Sequence, residues 1–170
     1  MCHPIISAAI RSVATIIDWL VLVAALGSGL IAGTFFAFSA FVMRALGRLP
    51  AAQGITAMQK INIVVINPLF LSVFLGTAGL SVVMLVWSLT KLGTAAGVYL
   101  LIASLAYLIG TFGVTMRLNV PLNDRLAGVG ADTTEGEKVW ANYLVEWTKW
   151  NHVRTVAALI ALLFFILSPS

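Results

Sequence analysis

The chain has 170 residues, of which 61% are hydrophobic and 9% are charged. This excludes an ordinary soluble domain, which carries about 25% charged residues, and the net charge of +4 does not indicate nucleic-acid binding because the basic residues cluster beside apolar runs. The single cysteine, Cys2, excludes an intramolecular disulfide and any cysteine-based zinc or iron–sulfur site.

Long apolar runs separate the charged residues along the chain. No Asp, Glu, Lys or Arg occurs between Lys60 and Lys91, between Lys91 and Arg117, or after Arg154. Uncharged runs of about 18 or more residues are typical of transmembrane helices. We therefore predict an all-α fold, a single integral membrane domain over residues 1–170 built as a four-transmembrane-helix bundle. The predicted spans are approximately 19–43, 60–90, 92–117 and 147–168, and the polar loop 118–146 contains a short interfacial helix between spans three and four.

The first three spans carry further local signals. The first apolar run is longer than the hydrophobic region of a signal peptide, so we expect it to remain as an uncleaved helix. Gly29 with Gly33, and Gly93 with Gly97, have the spacing of small residues that lets helices approach closely. These pairs predict tight packing, either inside one chain or between the chains of a homo-oligomer. Asn67–Pro68 is expected to kink the second span.

The polar segment before the fourth span contains two helix-start signals. "NVPLNDRLAG" predicts a short helix with Asn119 as its cap. "TEGE" has the pattern of a capping box beginning at Thr134, so the fourth helix is expected to start there, outside the membrane. The apolar run after Arg154 is too short to cross about 30 Å by itself. The fourth helix is therefore expected to enter the membrane near Trp147, which places the polar residues after it inside the span.

Polar side chains collect at one end of the predicted bundle. Because four spans alternate in direction, the end of span one, the start of span two, the end of span three and the start of span four share one membrane face. The polar residues there are Thr34, Ser39, Arg44, Gln59, Asn62, Asn67, Thr115, Arg117, Asn119, Asn123, Trp147, Asn151, His152 and Arg154, against Asp18, Thr90 and Lys91 at the other face. Polar groups at membrane depth usually face a bundle interior or a cavity. We therefore predict a binding or catalytic site at this end.

The fourth span carries the most reactive residues of this cluster. At about 100° per residue, one stripe of the helix holds Trp140, Leu144, Trp147, Asn151 and Arg154. Arg154 is a permanent cation whose planar donors suit a carboxylate, a phenolate or a phosphate. His152, about 100° round the helix from Asn151, is the only member of the cluster that can exchange protons near neutral pH.

Simpler interpretations exist for single residues. Trp147 and Trp150 have the position of interfacial belt residues, and Arg154 can reach towards lipid phosphates. Gln59 and Asn62 can serve only to hydrogen-bond neighbouring helices. The convergence of all four chain segments favours a site over these separate explanations.

A metal site is a second interpretation of the same end. Met43, Met58 and Met116 fall there together with His152, and thioethers plus imidazole suit Cu(I). Methionine more often fills gaps between helices. We therefore expect no cofactor and keep copper as the alternative.

Four segments together resemble a known family. They are "GTFFAFSAFVMRAL", "MQKIN", "NVPLNDRLA" and "WTKWNHVRT", in this order, within Gly33 to about Ala158. In this combination the chain resembles the anthrone oxygenase-like family of small four-helix membrane proteins. The resemblance implies oxidation of an anthrone to an anthraquinone with molecular oxygen, without flavin or haem. The polar-cluster positions that it carries over are Gln59, Asn62, Asn119, Asn123, Trp147, Asn151 and Arg154.

The resemblance and the residues together predict a cofactor-independent monooxygenase. A base would remove a proton from a small phenolic or polycyclic substrate, and the resulting carbanion would react with O₂ in a water-poor cavity. We predict His152 as the base and Arg154 as the catalytic cation. Substrate-binding roles are predicted for Gln59, Asn62, Asn119, Asn123, Trp147, Asn151, Phe35 and Phe38. The alternative is a non-enzymatic lipid- or quinone-binding protein, or a small subunit of a membrane complex.

The distribution of basic residues predicts the orientation. Eight of the ten lie at the polar end (Arg44, Arg48, Lys60, Arg117, Arg125, Lys138, Lys149 and Arg154), and Arg11 and Lys91 lie at the other. Short cytoplasmic loops carry an excess of Lys and Arg. We therefore expect a multi-pass protein of the cell membrane, surrounded by lipid, with its polar end in the cytoplasm.

Overall fold

The computed structural model describes residues 4–169, with side chains from residue 15 onward. Every regular element in this part of the chain is helical. The α-helices are α1 (Pro4–Ala37), α2 (Met43–Leu46), α3 (Ala51–Val64), α4 (Pro68–Leu89), α5 (Ala95–Leu105), α6 (Val120–Ala127) and α7 (Thr134–Leu167). Three π-helical segments join them, at Phe38–Val42, Ala106–Gly113 and Thr115–Asn119. The predicted all-α class is confirmed.

Four helical stretches are long and apolar enough to cross a membrane. They are Thr15–Leu46, Pro68–Leu89, Ala95–Ala127 and Thr134–Leu167, which confirms the predicted four-span bundle. The third stretch is longer than predicted, because π-helical segments connect α5 to α6 without a break. The short helix expected between spans three and four is therefore the continuation of span three. Residues 134–146, the polar stretch before the fourth predicted span, belong to α7, in agreement with the helix start predicted at Thr134.

The second span is broken, not merely kinked. Backbone helix ends at Val64 and restarts at Pro68, and the Asn67 side chain closes both ends. Asn67 Oδ1 accepts a hydrogen bond from Phe70 N at 3.0 Å, and its Nδ2 donates to Val64 O at 2.9 Å. A helix end leaves backbone groups without partners, and in a membrane such groups must be satisfied by the protein or line a cavity. Asn67 is therefore the residue that makes this break tolerable.

Small residues let α7 pack close to its neighbours, but the tightest of these contacts are not made by the glycines that the sequence predicted. A Cβ atom at Gly110 would come 2.5 Å from Ala157 Cβ, and one at Gly54 would come 2.8 Å from the Trp140 ring. The predicted pairs act this way only in part, because a Cβ atom at Gly29 would lie 3.6 Å from Leu162 of α7 and one at Gly97 would meet the Lys91 carbonyl oxygen, whereas their partners have room. No heavy atom lies within 4 Å of a Cβ built at Gly33, and Gly93 occupies a turn with φ of +90°.

The core has two main apolar clusters, one towards each end of the bundle. One contains Ala24, Ala25, Met84, Leu100, Ala103, Tyr107, Ala161 and Phe165. The other contains Met43, Ile55, Met58, Leu126, Val139, Trp140, Tyr143 and Trp147. Both include residues of α7, which packs against α1, α3 and α5. A small third cluster of Ile31, Phe35 and Phe74 lies beside the polar residues of the predicted site.

The start of α7 is capped one residue earlier than predicted. Thr133 Oγ1, not that of Thr134, accepts a hydrogen bond from Gly136 N at 2.9 Å. Gly136 lies so close to the Gly130 carbonyl oxygen that a side chain would not fit there. The tight approach of the preceding loop therefore decides which of two adjacent threonines becomes the cap.

Candidate functional site

A cavity of about 330 Å³ lies at the predicted end of the bundle. All four spans and the segment before the break contribute to its wall. The lining residues are Thr34, Phe35, Phe38, Met58, Ile61, Asn62, Val65, Ile66, Phe70, Leu71, Phe74, Thr115, Met116, Val120, Asn123, Trp147 and Arg154. The wall is mostly apolar and aromatic with a few polar groups, as is typical of a small-molecule site.

Arg154 is the charged residue of this wall. Its side chain is 6% exposed. Its Nε and Nη2 donate to Asn151 Oδ1 at 2.9 and 2.8 Å, and its Nη1 makes a longer contact of 3.4 Å with Thr115 Oγ1. A guanidinium has five N–H donors. Two of them remain available to a ligand in the cavity.

The Arg154 charge has aromatic neighbours but no carboxylate. Its guanidinium carbon lies 3.8 Å from the centre of the Phe35 ring and 4.8 Å from that of Trp147. Within the described residues the one ion pair joins Lys149 to Glu146, on the exposed surface. Cation–π contacts offset only part of the cost of burying a charge. A buried cation of this kind is suited to an anionic group supplied by a ligand.

Asn151 holds Arg154 in place from behind the wall. Its Nδ2 donates to Phe35 O at 2.8 Å and to Ser39 Oγ at 2.7 Å. These two bonds turn its Oδ1 towards the guanidinium. Asn151 is fully buried and does not line the cavity, so its role is to position the cation.

Asn123 and Trp147 form a second polar contact in the wall. Asn123 Oδ1 accepts hydrogen bonds from Trp147 Nε1 and from the Tyr143 hydroxyl, each at 2.8 Å. Both donors point at the oxygen, which leaves the Asn123 Nδ2 group as a donor for a ligand. The hydrogen bond from Trp147 Nε1 to Asn123 Oδ1 also fixes the plane of the Trp147 ring.

Aromatic rings of five residues line the cavity, and the α7 stack contributes one of them, Trp147, with Trp140 and Tyr143 outside the wall. Trp140, Tyr143 and Trp147 stack along α7 with centroid separations of 5.7 Å and interplanar angles of 18° and 19°. Phe38 packs against Trp147 at 5.6 Å, and Phe70 stacks on Phe74 at 5.9 Å. Flat rings at these spacings favour a flat aromatic ligand.

Irregular helix surrounds the site. The π-helical segment Phe38–Val42 begins with a lining residue of span one. The segment Thr115–Asn119 of span three contains two more, Thr115 and Met116. Such segments are rare and often occur at functional sites, because a wider turn redirects the side chains that follow it. Together with the break at Asn67, they make this end irregular in three of the four spans.

The structure brings most predicted site residues together. Those in the cavity wall are Phe35, Phe38, Asn62, Asn123, Trp147 and Arg154. Two others hold helices together away from the wall. Gln59 Nε2 donates to Leu126 O at 2.9 Å and to Val129 O at 3.1 Å, at the end of α6. Asn119 makes no cap and instead donates from Nδ2 to Trp147 O at 3.1 Å.

His152 lies outside the site. Its side chain is exposed and does not line the cavity. The reason is helical geometry, because a rotation of about 100° from Asn151 turns it to the outer surface of α7. The base role predicted for His152 therefore has no support from its position. The copper interpretation loses its imidazole for the same reason, although Met58 and Met116 do line the cavity.

Tyr143 is the contributor that sequence reasoning missed. It is 1% exposed, stacks on Trp147 and donates to Asn123. The predicted stripe on α7 included Leu144 instead, which is only half-buried. The spacing of four residues between Tyr143 and Trp147 is the signal that could have identified it.

Comparison with known proteins agrees with this arrangement. A family model described as anthrone oxygenase matches residues 69–164, more than half of the chain. A search of curated proteins and a search of solved structures each gave no match. The matched segment contains Thr115, Asn123, Trp147, Asn151 and Arg154, which form the polar part of the site. The chain therefore belongs to the anthrone oxygenase family.

Proposed function

We propose that the protein oxidises a flat phenolic or polycyclic substrate with O₂ in this cavity. The observation that carries the proposal is the buried Arg154 guanidinium, which has no carboxylate partner among the described residues and lies between the Phe35 and Trp147 rings. Family membership supplies the reaction class. The cation would stabilise the anion of an anthrone-like substrate, and the rings would hold its plane.

The chemistry balances without a further reductant. Loss of a proton from the anthrone methylene gives a carbanion, which passes one electron to O₂. The resulting carbon radical and superoxide combine into a peroxide anion, which takes up a proton. Loss of water from that hydroperoxide leaves the ketone. The net reaction consumes one anthrone and one O₂ and gives one anthraquinone and one water.

Arg154 also accounts for proton removal in a cavity whose wall contains no carboxylate or imidazole. A fixed cation in a water-poor site lowers the free energy of a bound anion relative to the neutral molecule. In this proposal the substrate loses its methylene proton, as it binds, to a water molecule enclosed with it in the cavity, and that proton returns to the peroxide anion, so no proton has to cross the apolar wall. In this proposal Arg154 replaces His152 as the residue on which carbanion formation depends.

The test is anthraquinone formation by purified protein from anthrone, with O₂ and without it. We expect a rate above the spontaneous one that requires O₂, with equal amounts of O₂ consumed and quinone formed. Arg154→Gln should lower that rate by about 10²–10³-fold, the usual effect of removing an oxyanion donor. Arg117→Gln is the matched control, because Arg117 is an exposed cation at the same end and does not line the cavity.

Two outcomes would overturn this proposal. Equal rates for wild type, Arg154→Gln and buffer across a panel of anthrones and hydroquinones would favour a lipid- or quinone-binding protein. A rate that vanished on chelation and returned with copper would favour a methionine-containing metal site.

We also propose that the cavity end faces the cytoplasm of a cell membrane. Arg154 is buried, so seven basic residues remain at that end for the charge rule, and all seven are exposed. Both chain ends then lie on the outer side. An impermeant thiol reagent should label Cys2, which precedes the described residues, in intact cells. Labelling only after lysis would contradict the orientation.

A further inference from the structure

The cavity wall includes residues that are exposed on the outside of the bundle. Among its lining residues two have exposed side chains, Ile66 at 69% and Met116 at 49%, and all others are buried or partly buried. Ile66 belongs to the break in span two, and Met116 to a π-helical segment of span three. Both exposed residues of the wall therefore lie on irregular backbone.

The surface around the break in span two is apolar. The most exposed large apolar side chains of the described residues are Leu69 at 77%, Ile63 at 72%, Val64 at 71% and Ile66 at 69%, all beside the break. In a membrane-spanning bundle such side chains face hydrocarbon. An opening at this surface would therefore lead to lipid and not to water.

The cavity wall is apolar at some residues and carries hydrogen-bond donors at others. Ile66, Met116 and Phe70 belong to the apolar part of the wall. The side chains of Arg154 and Asn123, which carry the donors, are less exposed than those of Ile66 and Met116. A molecule entering past Ile66 and Met116 would meet apolar side chains first and the cation last.

We propose that the break in span two and the π-helical segment of span three form a lateral mouth through which a membrane-dissolved aromatic molecule enters from the bilayer. Its carbonyl or phenol oxygen goes in first and stops at Arg154. This deepens the proposed function by naming the substrate class as lipid-soluble. The route itself requires only binding and not turnover.

The test closes the mouth covalently and measures entry. In a Cys2→Ser background, the Ile66→Cys variant is labelled in detergent with a bulky adamantyl maleimide and returned to phosphatidylcholine vesicles. Leu69→Cys is the matched control, since Leu69 is more exposed, lies three residues away and does not line the cavity. The probe is anthraquinone dissolved in the vesicles, and the readout is its association rate, followed by quenching of tryptophan fluorescence.

We expect the label at position 66 to slow association by about tenfold or more, since a blocked path acts on the association rate. A label at position 69 should leave the rate unchanged, and Met116→Cys should behave like Ile66→Cys. The unlabelled Ile66→Cys variant serves as the folding control. Equal association rates for the proteins labelled at positions 66 and 69, whether both are fast or both are slow, would contradict entry through the lateral mouth.

This experiment separates the two proposals. Slowed anthraquinone entry in a protein that never oxidises anthrone would support the mouth and remove the oxidase. If the fully labelled Ile66→Cys variant oxidised anthrone as fast as the unlabelled one, the oxidase function would be supported and entry through the lateral mouth would be contradicted.

Discussion

The two ends of the bundle are built differently. Around Met84, the cluster packs alanine and leucine side chains against the rings of Tyr107 and Phe165, and most of its residues lie on regular α-helix, although Tyr107 belongs to the π-helical segment Ala106–Gly113. Of its buried hydroxyls, Ser81 Oγ donates to Thr77 O at 2.8 Å, whereas Ser28 Oγ and Ser104 Oγ have no hydrogen-bond partner in the part of the chain that the structure describes. Around Arg154, by contrast, backbone is irregular in three spans and a buried cation has no carboxylate partner within the described residues.

This difference distinguishes the part of the bundle that stabilises the fold from the part that forms the site. Membrane helices associate chiefly through close packing, which the Met84 end provides. A buried charge, a helix break and π-helical turns each cost stability, and they persist where they serve a function. The buried charge, the helix break and two of the three π-helical segments border one cavity, whereas the third π-helical segment, Ala106–Gly113, contributes Tyr107 to the Met84 cluster. The end with the cavity is therefore the working end, and the more regular Met84 end is its support.

The largest effect should come from removing the charge while keeping the volume. Arg154→Met should lower O₂-dependent anthrone oxidation by about 10²–10³-fold, because the anion loses its stabilising donors. The same change should leave the free energy of unfolding unchanged or raise it by about 1–4 kcal/mol, because a buried charge is replaced by an apolar side chain. Quinone formation and thermal unfolding in the same detergent measure the two effects.

Opposite directions for activity and stability are the decisive feature of this variant. If Arg154→Met unfolded as readily as it lost activity, the cation would be part of the support and not of the site. Arg117→Met is the control, since an exposed arginine outside the cavity should change neither quantity.

A substitution that creates a cavity at the Met84 end should lower stability and leave ligand binding unchanged. Met84 is fully buried, and Met84→Ala removes side-chain contacts from the supporting cluster. We expect a loss of about 2 kcal/mol in the free energy of unfolding, at the low end of the usual range because lipid is as apolar as the core. Anthraquinone affinity at constant folded fraction should stay within error. A large loss of affinity would show that the two ends are not independent.

The helix break offers a smaller and more local change. Asn67→Ala removes the side chain that caps α4 and also bonds to the end of α3. Loss of a helix cap typically costs about 0.5–2 kcal/mol. We expect hydrogen exchange to increase near residues 64–70 and not in α5. An equal increase in hydrogen exchange along the whole chain would mean that the break does not open independently of the rest of the fold.

The sequence was sufficient for the architecture because the bilayer imposes it. Apolar runs must be long enough to cross hydrocarbon, and alternating spans must bring certain ends together. This is why six of the predicted residues, among them Asn123 and Arg154, meet in one wall. No knowledge of side-chain contacts was needed for that result.

The details that sequence did not predict depend on contacts between helices. Gln59 and Asn119 bond to backbone carbonyls of other helices, and nothing local marks those partners. The π-helical segments shift the hydrogen-bond register without a change in hydropathy. His152 was assigned by its chemistry, although its rotation from Asn151 already placed it off the stripe.

The smallest expected effect concerns that histidine and sharpens the comparison within one helix. His152 and Arg154 are two residues apart on α7, yet the first is exposed and the second is 6% exposed in the cavity wall. An exposed side chain without a role in the site usually changes free energies by no more than about 0.5 kcal/mol when replaced. His152→Gln should therefore keep the rate of quinone formation within about twofold of wild type, measured between pH 6 and pH 8, where an imidazole base would titrate. A loss of about 10²–10⁴-fold, the usual contribution of a general base, would instead make His152 the proton acceptor. In that case α7 would have to rotate during the reaction, and anion stabilisation by Arg154 would not be sufficient to form the carbanion.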